Sequence, residues 1–300
     1  MTYHSVGSAY AINKKEHVLS ELRLSIFDRT IRVACEDAGL ERLLLGVYGS
    51  LAVEQFADDQ APDLDYKVAL GDSADKDRKY CIHRVGQHPI FSGDIGLFLY
   101  QFEKDMTIRL EEMRNDLYFL HAAALEYKGK IHLLVAESGG GKSTTGWALL
   151  HHGFNYASDE LAPVELETMT VRVYPHALCQ KTRPPEPYLL PDATLCNERT
   201  LHIPAEVLPC QVVTDSLPLK SIFFVRYDPE ATSPAIKPVS AGEAGARIYA
   251  NGLNQLAHPS DGLDAALEIA QHCHSFELQS AGLQDTCELV KALLDKDMSA

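Results

Sequence analysis

Residues 131–166 read IHLLVAESGGGKSTTGWALLHHGFNYASDELAPVEL, and this stretch decides the class of the fold. An apolar run, IHLLVA, leads into a glycine-rich loop, ESGGGKST, and the helical pattern that follows ends at Gly153. A second apolar run, FNYASDELAPVEL, completes a strand–loop–helix–strand order. That order predicts a βαβ unit, in which the two strands pair in parallel through a right-handed crossover.

The glycine-rich loop matches the Walker A pattern, with Ala136 in place of the usual first glycine. In such a loop successive backbone N–H groups cradle phosphate oxygens, and the following helix directs the positive end of its dipole at the anion. The motif predicts that Lys142 reaches the β and γ phosphates and that the Ser143 hydroxyl binds Mg²⁺. The predicted nucleotide-binding residues are Ser138, Gly139, Gly140, Gly141, Lys142, Ser143 and Thr144.

Two adjacent acidic residues, Asp159 and Glu160, come later in the chain, and one predicted helix separates them from this loop. A carboxylate near the phosphates of a P-loop protein can hold Mg²⁺ or accept the proton of an attacking hydroxyl. The sequence therefore predicts Asp159 and Glu160, together with Ser143, as candidate metal ligands. The alternative is an acidic turn on a solvated edge of the sheet.

The proline-rich stretch at 182–220 is poorly periodic, and a loop of that length predicts a functional lid or a mobile segment. Lys181 and Arg183 lie at its start, in the sequence CQKTRPP. Cations in this place could offset charge on a transferring phosphoryl group, or they could be ordinary surface charges.

Two domains are predicted, at residues 1–115 and 116–300. The first is a small α+β unit, with two short strands at 22–35, a helix at 38–54, strands at 64–70 and 79–85, and an amphipathic helix at 93–114. It carries no catalytic constellation of its own. In the second domain, a buried strand at 221–226 precedes predicted helices near 241–256, 261–272 and 283–295 and a short strand at 275–279.

Composition excludes several classes of function. Asp and Glu number 42 against 27 Lys and Arg, and a net charge of -15 lacks the basic footprint of a nucleic-acid binder. No apolar run is long enough to predict a membrane span, and the N-terminus has no apolar segment typical of a secretory signal. Seven widely spaced cysteines without a CxxC pair predict reduced thiols and a cytoplasmic location.

Residues 121–165, HAAALEYKGKIHLLVAESGGGKSTTGWALLHHGFNYASDELAPVE, resemble the catalytic domain of HPr serine kinase/phosphorylases. They are more similar still to HPr-kinase-related proteins, some of which are tailoring kinases for lasso peptides. The resemblance implies an α/β P-loop fold shared with phosphoenolpyruvate carboxykinase, preceded here by a small α+β N-terminal domain. It also implies that Asp159 is the catalytic base, and it places the family's histidine at His121. Glu160 and Ala136 depart from the family pattern, and no HPr-specific C-terminal signature is recognisable.

The sequence thus predicts an ATP- and Mg²⁺-dependent kinase. It would transfer the γ-phosphoryl group to a hydroxyl of a peptide or protein serine, or of a small molecule. The candidate catalytic residues are Asp159, Lys142, His121 and Lys181. The alternative hypothesis is a nucleotide-binding regulatory module without phosphotransferase activity, in which the proline-rich segment responds to the γ-phosphate. Nucleotide and a hydroxyl-bearing acceptor are the predicted partners, nucleic acid and membrane are not, and a homo-oligomer is left open.

Overall fold

A computed structural model describes residues 20–56, 61–71 and 74–297. Within these ranges the chain forms a mixed α/β structure with three β-sheets. The first sheet has the strand order β1 (Ser20–Ile26), β2 (Arg29–Cys35), β3 (Leu64–Leu70), β4 (Tyr80–Arg84), β5 (Ile90–Ser92). Helices α1 (Ala38–Tyr48) and α2 (Ile95–Met113) share an apolar core with this sheet. The strands and helices predicted between residues 22 and 114 are confirmed, although α1 ends at Tyr48, six residues earlier than expected.

Helix α2 begins at the predicted place because Asp94 caps its first turn. The Asp94 carboxylate accepts a hydrogen bond from the backbone N–H of Leu97 at 2.7 Å. One face of α2 is fully buried against the first sheet and carries Phe98, Phe102, Met106 and Leu110. The opposite side of the helix is free to face the rest of the chain, which is where the candidate site lies.

The remaining strands are β6 (Leu117–His121), β7 (Ala123–Tyr127), β8 (Lys130–Val135), β9 (Asn155–Ser158), β10 (Leu161–Glu165), β11 (Thr170–Val171), β12 (Leu178–Gln180), β13 (Leu195–Cys196), β14 (Leu201–Ile203), β15 (Leu217–Tyr227), β16 (Ala235–Pro238) and β17 (His274–Ser280). The helices are α3 (Lys142–Leu150), α4 (Ala241–Ala250), α5 (Leu263–His272) and α6 (Leu283–Asp297). The second sheet runs in the order β6-β10-β11-β15-β8-β7-β9, with β17 beside β15 and β16 beside β17. The predicted buried strand and the tail elements are confirmed, although α4 ends six residues earlier than expected.

Strand β7 separates the two strands that flank the glycine-rich loop. It pairs antiparallel with β8 on one side and with β9 on the other, so β8 and β9 run in the same direction without being neighbours. The predicted parallel pairing of a βαβ unit is therefore wrong. Lys128 and Gly129 both have positive φ, as tight hairpins require, and they fold β7 back beside β8. The parallel partner of β8 is instead β15.

Two apolar segments, residues 117–127 and 155–165, are each broken into two strands. The first breaks at Ala122, between β6 and β7, and the second breaks at Asp159 and Glu160, between β9 and β10. The pieces pair with each other, since β6 lies beside β10 and β7 lies beside β9. In the register His121 faces Leu161, so the two breaks lie side by side. We call this pair of breaks the double bend.

The proline-rich stretch is more ordered than predicted. It contributes β13 and β14, which form the third sheet with β12 in the order β12-β14-β13. Its residues Tyr188, Ile203, Ala205 and Leu208 are buried in the same core as Trp147, which is 1% exposed. The prediction of one long irregular loop is therefore wrong, because these apolar side chains pack against helix α3.

The predicted domain boundary falls between α2 and β6. One apolar cluster crosses it, because Leu117, Phe119 and Leu161 pack in the same core as α1, α2 and the first sheet. The division into two domains stays a prediction, and residues 1–19 of the first domain lie outside the described residues. All seven cysteines are free thiols. Among the helices that the structure describes, none combines the length and the apolar character needed to cross a bilayer.

Candidate active site

The glycine-rich loop turns sharply between β8 and α3. Gly139 and Gly141 have φ of 85° and 96°, a region that side chains with a Cβ rarely adopt. Ala136 is not among the residues with positive φ, so alanine fits there without backbone strain. Helix α3 begins at Lys142 with no side-chain cap, which leaves the first-turn N–H groups available to an anion.

Lys142 is held at the double bend. Its Nζ donates a hydrogen bond to the backbone carbonyl of Asp159 at 2.7 Å. It also lies 3.4 Å from His121 Nε2 and 3.5 Å from Glu160 Oε2. The lysine side chain is only 8% exposed, so its charge sits largely out of water beside two carboxylates. The structure thus brings together four residues that the sequence named as site candidates.

The two adjacent carboxylates face different sides of the bend. Asp159 is 2% exposed, and its Oδ2 accepts hydrogen bonds from Ser143 Oγ at 3.3 Å and from the backbone N–H of Cys179 at 3.1 Å. Glu160 is one-third exposed, and its Oε2 lies 3.3 Å from His121 Nδ1. Asp159 therefore faces the loop, whereas Glu160 faces the space beneath α2.

Burial sets the charge states at the bend. It raises the pKa of Asp159 to about 6, with Lys142 opposing the shift and Glu160 adding to it. Burial also lowers the pKa of His121, and the positive charge of Lys142 lowers it further. A neutral His121 can donate from Nδ1 to Glu160 and accept at Nε2 from Lys142. This tautomer satisfies both contacts of the ring and links the lysine to the exposed carboxylate.

The raised pKa of Asp159 predicts a pH-dependent stability. The folded state binds this proton more tightly than the unfolded chain, whose aspartate has its ordinary value of 3.8. The stability contributed by Asp159 is therefore fully present below about pH 4 and is lost as the pH rises through about 6. The loss is on the order of 3 kcal/mol. The asparagine of the Asp159→Asn variant would stay neutral at every pH, so we expect the free energy of unfolding of wild type to fall by that order relative to the variant between pH 4 and pH 7. Denaturant titrations at several pH values measure it, and parallel pH curves would contradict it.

Strand β12 covers the loop from the other side. Lys181 Nζ donates to Ser138 Oγ at 2.7 Å, so this candidate lysine lies beside the glycine-rich loop. The Gln180 side chain donates to the backbone carbonyl of Ser143 at 2.9 Å and lies 3.4 Å from Thr144 Oγ1. Sequence reasoning missed Gln180, because no local pattern indicates that β12 returns to the loop.

Gly140 of the loop is held from the side of β15, where its carbonyl accepts a hydrogen bond from the backbone N–H of Tyr227 at 3.0 Å. Arg183 lies instead beside Cys196 Sγ, at 3.9 Å.

A buried ion pair connects α2 to the site, and no sequence motif predicts it. Glu103 Oε1 lies 3.1 Å from His176 Nε2, and the His176 side chain is 2% exposed. Burial alone would lower the pKa of His176, but the Glu103 charge and hydrogen bond outweigh it, so the pKa is raised. The ring of His176 also stacks on Tyr174, with centroids 4.4 Å apart. Glu103 therefore anchors α2 close to Asp159, whose negative charge further favours the imidazolium.

The residues at the loop suit Mg²⁺. This ion keeps several waters and needs only one or two protein oxygens beside the substrate phosphates. Ser143 and Asp159 place a hydroxyl and a carboxylate 3.3 Å apart at the start of α3. Among the described residues no three metal-binding side chains converge, so an all-protein metal cage is not found there. Ser143 and Asp159 are the side chains that would hold the ion.

Comparisons with known proteins find matches among solved structures. No protein-family model matches the chain, and no curated protein matches it. Among solved structures, the Hpr(Ser) kinase/phosphatase from Coxiella burnetii matches with a TM-score of 0.31 and 11% sequence identity. The match covers 60% of this chain and 95% of that chain. A TM-score of this size carries no argument about activity, so the function proposed below rests on the residues of this chain.

Proposed function

We propose that this chain is an Mg²⁺-dependent P-loop kinase of the HPr-kinase-related type, which transfers the γ-phosphoryl group of ATP to a hydroxyl. The catalytic part would be an HPr kinase/phosphoenolpyruvate carboxykinase-like domain at 116–300. The acceptor would be a serine of a peptide or protein, or a small molecule. The sequence resemblance of residues 121–165 supports this proposal, and the geometry of the double bend supports it independently.

One observation carries the proposal. The lysine of the glycine-rich loop lies within 3.5 Å of a carboxylate on the neighbouring strand break, and that carboxylate also faces open space. A protein that only binds nucleotide needs the glycine-rich loop, but it does not need the Glu160 carboxylate beside the loop lysine. A kinase needs both, because the acceptor hydroxyl must lose a proton while charge on the transferring group is offset.

In the proposed reaction the acceptor oxygen bonds to the γ-phosphorus. The bond from that phosphorus to the β–γ bridging oxygen breaks, ADP leaves, and the hydroxyl proton passes to a carboxylate of this chain. Lys142 offsets negative charge on the γ-phosphoryl oxygens, and Lys181 adds positive charge from the β12 side. Mg²⁺ on Ser143 and Asp159 would supply further charge neutralisation when bound.

The geometry favours Glu160 as the proton acceptor. The sequence hypothesis gave that role to Asp159, with Glu160 as a metal ligand. Asp159 is buried against Ser143 and the Cys179 amide, where an acceptor hydroxyl has little access. Glu160 is more exposed and is oriented by His121. We therefore assign Asp159 to the metal side and Glu160 to the acceptor side, with His121 as a positioning residue.

A label-transfer assay tests the proposed function. The purified protein would be incubated with γ-labelled ATP, Mg²⁺ and a panel of acceptors: free serine, a serine-ended peptide, an HPr protein and a simple sugar. We expect label to move to at least one acceptor and to stay on ATP when Lys142 is replaced. ATP binding with slow hydrolysis that is indifferent to every acceptor would instead favour the regulatory module.

A further inference from the structure

An open cavity of about 770 Å³ lies between α2 and the double bend. Glu160, His121 and Lys181 line one wall, and α2 forms the facing wall. None of the described residues 136–144 lines it. The cavity is therefore on the acceptor side of the lysine rather than on the phosphate-binding side. We call this cavity the α2 groove.

The α2 wall is long and regular. Leu97, Tyr100, Lys104, Ile108 and Glu111 recur at three- and four-residue spacing on one side of the helix, and all line the groove. From Leu97 to Glu111 the helix rises about 21 Å, at about 1.5 Å per residue. An extended peptide of about six residues has the same length. Glu160 and His121 of the double bend face this wall. The hydroxyl of a bound acceptor can therefore lie at the double bend while the rest of the acceptor lies along α2.

Large apolar side chains are exposed to solvent in the α2 groove. Tyr100 is 59% exposed, Ile108 is 36% exposed, and Leu253 on the neighbouring loop is 42% exposed, and all three line the groove. A cluster of exposed large apolar residues beside polar ones is typical of a binding site.

We propose that the α2 groove binds the phosphoryl acceptor, and that it selects an elongated acceptor with apolar side groups, such as a linear peptide, over a compact polar one. This inference rests on the function proposed above. A free amino acid spans about 3.3 Å of an extended chain, so it would leave most of the groove empty. A sugar would leave the apolar side chains of α2 and Leu253 without apolar partners.

Two acetylated hexapeptides that end in serine test the selection. One carries alternating leucine and valine before the serine, and the other carries alternating glycine and asparagine. Binding is measured by fluorescence anisotropy of fluorescein-labelled peptides, without nucleotide, so that the result does not depend on catalysis. We expect the apolar peptide to bind at least tenfold more tightly than the polar peptide. Equal affinities would overturn the proposal.

Two matched leucine variants locate the binding. Leu253→Ala truncates an exposed leucine that lines the groove, and Leu70→Ala truncates one that is 56% exposed and does not line it. Leu253→Ala is expected to weaken binding of the apolar peptide about tenfold. Leu70→Ala is expected to leave it unchanged, and both variants should keep wild-type affinity for ATP. Equal effects of the two variants, or no effect of Leu253→Ala, would overturn the assignment to the groove.

Transfer of label to the same peptides separates this inference from the proposed function. Transfer to both peptides with equal KM, unaffected by Leu253→Ala, would overturn the groove and leave the kinase standing. Binding of the apolar peptide in the groove without any transfer would contradict the kinase and the acceptor role of the groove. A raised KM with unchanged kcat in Leu253→Ala supports both, because the leucine has no group that takes part in phosphoryl transfer.

Discussion

Lys142→Ala is expected to lower phosphoryl transfer at least about 10²–10³-fold, because it removes a preorganised positive charge from the site of the γ-phosphoryl group. The Nζ of Lys142 lies 3.5 Å from Glu160 Oε2 and is almost completely withdrawn from water. A charge in such surroundings is worth more than the same charge at the surface. The initial rate of label transfer at saturating acceptor measures the effect.

Controls separate this loss from a loss of folding. Lys142 also offsets the buried charge of Asp159, so its removal should raise the pKa of that carboxyl further. Lys142→Arg keeps a positive charge and should fold like wild type, yet transfer slowly, since a planar guanidinium does not reproduce the compact ammonium. Lys130→Ala, at the first residue of β8, should leave transfer unchanged. Near wild-type transfer by a folded Lys142→Ala protein would exclude the proposed role.

Glu160→Gln is expected to lower transfer by about 10²–10⁴-fold, because it removes the group that accepts the hydroxyl proton. Glutamine keeps the size of the side chain and can still contact His121, so nucleotide affinity should change little. Asp159→Asn should behave differently. It removes the carboxylate beside Ser143, and we expect weaker Mg²⁺-dependent binding of ATP, measured by titration calorimetry with and without the metal.

The contrast between these two variants decides the assignment of roles. A large loss of transfer in Asp159→Asn with unchanged Mg²⁺-dependent affinity would restore the sequence hypothesis that Asp159 is the base. A pH profile of kcat adds an independent measure. His121→Asn should shift that profile, since the neutral imidazole contacts the Glu160 carboxylate, whereas a structural role alone would lower the rate equally at every pH.

The local features of the site could be predicted from the sequence. The glycine spacing predicts a phosphate-binding loop before a helix, and the structure has helix α3 beginning at Lys142 directly after it. The apolar periodicity of residues 93–114 predicts α2, and Asp94 predicts where it begins. These features depend on residues that are close in the chain, so a pattern of spacing is enough to reveal them.

The long-range features could not be predicted in the same way. Strand β7 lies between β8 and β9 because its other edge pairs with β9, and an apolar run by itself does not say which strand becomes its second neighbour. The double bend follows from pairing across the chain, with His121 opposite Leu161. The contact of Glu103 with His176 joins residues far apart in sequence, and neither residue lies in a recognisable motif.

The most direct test of the central claim measures ADP and phosphorylated acceptor in the same sample. Wild-type protein and the Glu160→Gln variant would each be incubated with ATP and Mg²⁺. Each sample would be run once with the apolar hexapeptide and once without it. We predict one phosphorylated peptide for each ADP, little ADP without the peptide, and loss of both products in the variant. Inorganic phosphate and ADP formed at one rate with or without peptide, in wild type and variant alike, would contradict phosphoryl transfer and identify a nucleotide-binding module.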